Sequence, residues 1–197
     1  PIELTATLSP TTARRISSGD NVTLAGRQIA EITDVSVGPG TKSGNRHVRL
    51  TVALETLQRS GGLSYGGQEL VLDGDLSLTT DEYRISGRIE SLDSDGIPRT
   101  TTNVAIETTV STRIADEIAV GDEYRLANGT VATVRSVDAY PTGKEERTRV
   151  VLGLGLATVG VDGERFFGNT RVQLGSSIPF ETDAYRLSGT VINRNSL

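Results

Sequence analysis

The sequence predicts an all-β protein built as two tandem, duplicated small β-barrel or sandwich domains of about seven strands, each with one short helical turn. Three observations carry this. Residues 2–89 shifted by 102 positions fall on 104–191 without a gap, and 25 of the 88 pairs are identical; a repeat of this length outranks any local signal. Apolar residues recur with a period of two, as in half-buried strands. The periodic stretches are short and broken by glycine, proline and asparagine turn signals, the pattern of barrels and sandwiches. The repeat divides the chain into a domain at 1–92, a linker at 93–103 rich in Asp, Ser and Thr, and a domain at 104–197. Each is long enough for its own core.

The elements follow in order. Ile2 to Leu8 alternates cleanly as a strand, and Val104 to Val110 repeats it. Ser9 can cap a helical turn with Pro10 at its first position, and Ser111 caps the copy. Ala13 and Ile16, matched by Ala115 and Ile118, supply the buried side of that turn, which ends at Gly19-Asp20 and Gly121-Asp122. A hairpin then turns at Ala25-Gly26; its copy is expected to turn at Asn128-Gly129, a strong hairpin signal. Spacing of three between Ile29, Ile32 and Val35, and again between Val131, Val134 and Val137, breaks strict alternation and predicts a bulge. After a Gly/Pro loop at 38–46 come strands at 47–56, 68–72, 76–78 and 83–91.

Composition excludes several functions. With no Cys, there is no disulfide, thiolate chemistry or cysteine-ligated metal. A net charge of −5 and the lack of a basic stripe exclude nucleic acid and anionic membrane surfaces as partners. Of 20 basic residues 18 are Arg and only Lys42 and Lys144 are Lys, a balance associated with salt-loving archaea. No stretch is apolar enough to span a bilayer. The chain starts at Pro1 and is expected to be a processed or truncated product.

No catalytic set, cofactor site or metal site emerges. Gly62-Leu63-Ser64-Tyr65-Gly66 matches the nucleophile-elbow pattern, but that mechanism needs a strand-to-helix turn and a later histidine. The lone His47 precedes Ser64, and the second repeat has no Ser there. Asp73-Gly74-Asp75 and Asp93-Ser94-Asp95-Gly96 lack the spacing of a calcium loop. The longest shared motif, Thr80 to Gly87 against Thr182 to Gly189, reads as scaffold, its Tyr covering the core edge and its Asp and Arg tying down a turn. Asn21 and Asn128 begin N-glycosylation sequons.

The repeats differ most informatively in strand 48–57. Its outward residues Arg49, Thr51, Ala53 and Glu55 become Val151, Gly153, Gly155 and Ala157. Small residues let another backbone approach closely, so these four are the interface candidates, toward the other domain or another subunit.

The frame Ile16, Gly19, Asp20, Gly26, Ile29, Ile32, Val35 and Tyr83 to Gly87, present twice, resembles an uncharacterised family, domain of unknown function number 4330, of bacteria and halophilic archaea. The resemblance implies a β region held outside the cytoplasm behind one transmembrane helix, an anchor lying outside this sequence, and implies no activity. The Gly-Asp…Gly…Ile frame also looks like the small β-barrels of lipid-transport substrate-binding proteins. The expectation is therefore a non-catalytic extracytoplasmic structural or self-assembly protein, a filament or cell-surface subunit, homo-oligomeric through strand addition in which a strand such as 2–8 completes a neighbour's sheet. The alternative is a membrane-anchored binding module for a lipid or small ligand.

Overall fold

The computed structural model describes residues 1–40, 44–55, 57–59, 62–127, 129–144 and 146–194, with the backbone alone at 57–59. The chain divides into unit 1, Pro1–Ile97, and unit 2, Pro98–Leu197. Unit 1 runs β1 (Ile2–Leu8), α1 (Pro10–Ala13), β2 (Asn21–Leu24), β3 (Arg27–Pro39), β4 (Arg46–Leu54), β5 (Leu57–Arg59), β6 (Gly62–Tyr65), β7 (Gln68–Glu69), β8 (Asp75–Thr79) and β9 (Arg84–Ser91). Six strands form one antiparallel sheet in the order β2-β3-β4-β1-β9-β8. The two end strands, β2 and β8, come back alongside each other, so the sheet curls into a barrel-like shape. Leu4, Ile32, Leu50, Leu78, Ile85 and Ile89 fill its interior.

Unit 2 repeats the plan with β10 (Arg99–Ser111), α2 (Thr112–Glu117), β11 (Glu123–Leu126), β12 (Gly129–Pro141), β13 (Arg147–Val161), β14 (Glu164–Phe167), β15 (Thr170–Arg171), β16 (Ser177–Glu181) and β17 (Arg186–Arg194). Its sheet order is β11-β12-β13-β10-β17-β16. The shift of 102 carries over to the pairing: Ile2 faces Val52 and Val104 faces Leu154. The expected bulge is present in both units, between Ile32 and Asp34 and between Val134 and Ser136. Both helical turns are capped as expected, Ser9 Oγ accepting from the Thr12 N–H and Ser111 Oγ from the Ile114 N–H.

Four expectations are corrected. Residues 99–103, expected in the linker, belong to β10 and pair with Gly155–Val159. The threonine run made them look like linker, but Thr suits a pleated surface, and the buried Thr102 and Thr158 hydroxyls pair at 2.8 Å. The second hairpin turns one position earlier than Asn-Gly: Gly129 already faces Leu126, as Arg27 faces Leu24. Ala25 and Ala127, both at φ 51°, take the left-handed position; Asn128 itself lies outside the described residues. Gly62 to Gly66, whose composition reads as a glycine-rich turn, instead contains β6, the middle strand of the three-stranded arm β5-β6-β7, with Tyr65 turned into the core. Finally, β1 is the centre of its sheet, paired with β4 on one side and β9 on the other. It has no free edge to donate to a neighbour.

Glycine closing the shared motif has a packing cause. A Cβ on Gly87 would stand 2.8 Å from the Thr5 carbonyl oxygen, and one on Gly189 would stand 2.7 Å from Ile106 Cδ1. Here β9 lies beside β1 and β17 beside β10, with backbone blocking a side chain at Gly87 and Ile106 having to move for one at Gly189. Gly87→Ala is expected to cost about 1–3 kcal/mol through forced backbone shifts, read as an earlier urea midpoint for unit 1. An unchanged midpoint contradicts the packing.

Candidate functional site

The shared motif and the Gly-Asp motif meet in space. The Tyr83 hydroxyl donates to Asp20 Oδ2, and Tyr185 donates to Asp122 Oδ2 at 2.5 Å. The carboxylates are pre-set by the loop after the helical turn: Asp20 Oδ2 also accepts the Ser17 N–H and Asp122 Oδ2 the Ala119 N–H, both at 2.9 Å. The backbone beside them is stitched to the bulge. Gly19 N–H bonds the Ile32 carbonyl and Ile32 N–H the Asp20 carbonyl, with the same pair at Gly121, Asp122 and Val134. Gly19 and Gly121 take φ +95° and +96°, which explains the glycine before each aspartate.

The turn that presents the tyrosine is tied down by threonine, where aspartate was expected. Thr80 Oγ1 accepts from the Glu82 and Tyr83 N–H groups, and Thr182 Oγ1 from those of Ala184 and Tyr185. Asp20 directly precedes β2 and Tyr83 follows β8, so each bond sits at the seam where the two ends of the sheet meet. In unit 2 the seam is also aromatic: Phe180 packs between Tyr124 and Tyr185, with ring centroids 6.0 and 6.2 Å away.

A second feature lies on the outer face of unit 1. Arg49 on β4 and Glu3 on β1, diagonal neighbours across the pair, form an ion pair with side chains only 12% and 13% exposed. Next along β4, Thr51 stands between Asp34 on β3 and Glu3 on β1. The segment after β9 returns across this face. Ser94 donates its N–H to the Pro1 carbonyl at 3.1 Å, and Ile97 donates its N–H to Asp34 Oδ2 at 3.3 Å. Because β4 lies between the strands bearing Pro1 and Asp34, this strap passes over β4 at Thr51. Thr51 is 3% exposed, and its Oγ1 has no hydrogen-bond partner. A buried, unpaired hydroxyl costs roughly 1–3 kcal/mol.

The four interface candidates divide. A Cβ on Gly153 would stand 2.4 Å from Ser136 Oγ, so unit 2 itself closes that position. One on Gly155 would meet Arg135 Nε at 3.2 Å. Both glycines thus make room within their own unit. Val151 is half-buried and Ala157 is exposed, opposite the exposed Thr101. The signal for this was a paired change between the repeats: Asp34 with Thr51 in one, Ser136 with Gly153 in the other.

The remaining candidates do not converge. Ser64 lies within the β6 hairpin strand, opposite Leu57 and Glu69, with no helix following it. His47 is on β4 opposite Thr7 and Gly38; burial, then Arg49, holds its imidazole below the ordinary value, while Glu90 pulls the other way. Asp73 takes φ 61° in a tight turn, its N–H bonded to the Ile89 carbonyl. Asp93, Ser94, Asp95 and Gly96 lie in the strap. Among the described residues no three His, Asp or Glu side chains are grouped to hold a metal ion, and no helix is long and apolar enough to cross a membrane. Asn21 is exposed on β2, its Oδ1 accepting from Gln28 Nε2 at 2.6 Å. A shallow groove of about 420 Å³ opens between Gln28–Glu31 of β3 and Ala53–Glu55 at the end of β4 and just beyond it. No known protein family, curated protein or solved structure matches the chain.

The seam tyrosines have a spectroscopic consequence. Burial pushes the Tyr83 and Tyr185 hydroxyls well above the ordinary tyrosine range, and the hydrogen bond and charge of Asp20 or Asp122 push the same way. A phenol raised on folding stabilises the folded state fully below its unfolded value of about 10. That contribution is lost as pH climbs through the raised value. At least these two of the five tyrosines should therefore remain protonated at about pH 11 in the folded protein by tyrosinate absorbance, and ionise when urea unfolds it; burial raises the Tyr65 hydroxyl as well. All five ionising together in the folded chain would contradict the bonds.

Proposed function

We propose that this protein is a non-catalytic structural or self-assembly subunit held outside the cytoplasm, a component of a filament or cell surface. The observation that carries this reading is the strap: a backbone segment docked across the outer face of β4. In unit 2 Ser136 closes the corresponding place over Gly153, but Ala157 and Thr101, farther along the same strand pair, stay exposed. That exposed stretch is the part of the unit 2 face left to receive a neighbouring chain. The seam bonds suit a load-bearing unit, because they join segments 63 residues apart in both repeats. The extracytoplasmic location rests on the family resemblance and on the exposed sequon asparagine, Asn21.

The groove beside Ala53 favours the alternative, a small-ligand binding module. Its rim carries Glu31 and Glu55, the latter paired with Arg27 at 3.3 Å, which suits a cationic or polar ligand better than a lipid. The counterparts in unit 2 are Thr133 and Ala157, so the groove's acidic rim is not duplicated, whereas the outer face is a feature of both repeats.

Light scattering and negative-stain microscopy across a concentration series test the reading. The chain is expected to form ordered assemblies. Ala157→Arg, which puts a charge on the exposed part of the unit 2 face without entering either core, is expected to raise the assembly midpoint by about ten-fold, some 1.4 kcal/mol per contact. Monomers at every concentration overturn the reading. Gly153→Arg is unsuitable, since it would collide with Ser136 inside the unit.

A further inference from the structure

We propose that the outer face of β4 in unit 1 is a docking site for a segment of the Asp93–Ile97 type. The chain's own strap fills it within one molecule, and in assemblies the strap of a second copy of the chain fills it. This rests on the self-assembly reading and supplies its joint.

Several observations converge on it. The strap is held to the face by backbone bonds at its two ends, Ser94 N–H to the Pro1 carbonyl and Ile97 N–H to Asp34 Oδ2. Within itself the strap is shaped by two further bonds: Ser91 Oγ donates to the Asp93 carbonyl, and Gly96 N–H donates to Ser94 Oγ. Those travel with the strap if it leaves. Beneath it, Thr51 presents a hydroxyl that is 3% exposed and unpaired. Ser94 and Ile97 of the strap are buried against the unit, yet the hydroxyl beneath them stays unpaired, so the face is covered but not satisfied. Gly96 takes φ +107°, so the segment has a defined shape that few other sequences adopt.

The joint to unit 2 converts docking into linkage. Unit 1 ends at Ile97 and unit 2 begins at Pro98, so a strap that leaves its own unit 1 takes its unit 2 with it. Docked on a second copy, it makes the same bonds it made at home and connects the two chains. Short joints between such elements favour exchange of this kind. Reciprocal exchange closes a dimer, and successive exchange leaves a strap and a face open at the ends of a growing chain.

The test uses the full chain with Ser94→Pro and Ile97→Pro (the strap-replaced chain), which removes the two N–H donors that hold the strap, and a fluorophore-labelled peptide of the native sequence spanning Leu92–Pro98. By anisotropy, the strap-replaced chain should bind the peptide saturably and lose it on adding Thr51→Arg. The unmodified chain should bind about ten-fold more weakly or less, because its tethered strap competes at millimolar effective concentration. No binding by a strap-replaced chain with native circular dichroism, or equal binding by the unmodified chain, overturns the docking site. If the replacement does not fold, Gly96→Val, which strains the strap at its positive φ, takes its place with the same expected outcomes. Light scattering on the strap-replaced chain separates this from the wider reading. Assemblies lost with the strap support exchange; assemblies that persist overturn exchange and leave self-assembly standing; an unmodified chain that never assembles overturns both.

Discussion

A tyrosine hydroxyl bonded to a carboxylate sets the shape of each unit. The sheet order places β2 and β8, or β11 and β16, at opposite ends, and a sheet with two ends can stay open. Closure requires something to hold those ends together, and the Tyr–Asp bond stands at that seam. The aspartate is fixed by a backbone N–H from its own loop, and the glycine before it is fixed by the bulged strand. The tyrosine is fixed by a threonine-capped turn. Neither partner needs to search for the other, so little ordering entropy offsets a hydrogen bond to a charged acceptor, worth about 1.5–3 kcal/mol.

Once the barrel is fixed in this way, the outer faces are free to diverge. Inward positions stay aliphatic in both repeats, Val48, Leu50 and Val52 against Val150, Leu152 and Leu154. Outward, unit 1 places an ion pair and a strap over β4, whereas unit 2 fills the same place with Ser136 and Arg135 leaning over two glycines. Thr51 and Gly153 are the pivot of that difference. A threonine is tolerated where Asp34 turns to meet the strap, and only glycine fits where Ser136 lies over the strand.

Much of this was legible in the sequence because duplication supplied an internal comparison. The strands with clean alternation, the serine caps and the bulge at Ile32 are governed by local chemistry and period, and they are present as expected. The failures have physical causes. The threonines at 100–102 are polar enough to look like linker, yet suit a strand that finds a partner in β13. Tyr65 hides among glycines, and only its burial reveals that the arm is part of the core. The partnership of Tyr83 with Asp20 spans 63 residues, a separation at which composition and spacing carry no pairing information. Nothing in the sequence indicated that 93–97 would lie on a sheet face, since a run of Asp, Ser and Gly has no periodicity to place it.

The most direct measurement is a double-mutant cycle at the unit 2 seam, with Asp122→Asn, Tyr185→Phe and the pair, each followed by urea unfolding. If the bond closes the seam, the two losses should be coupled by about 1–3 kcal/mol, because either change alone already breaks it. Independent, additive losses would mean that the hydroxyl and the carboxylate are merely neighbours, and that something else holds the ends of the sheet together.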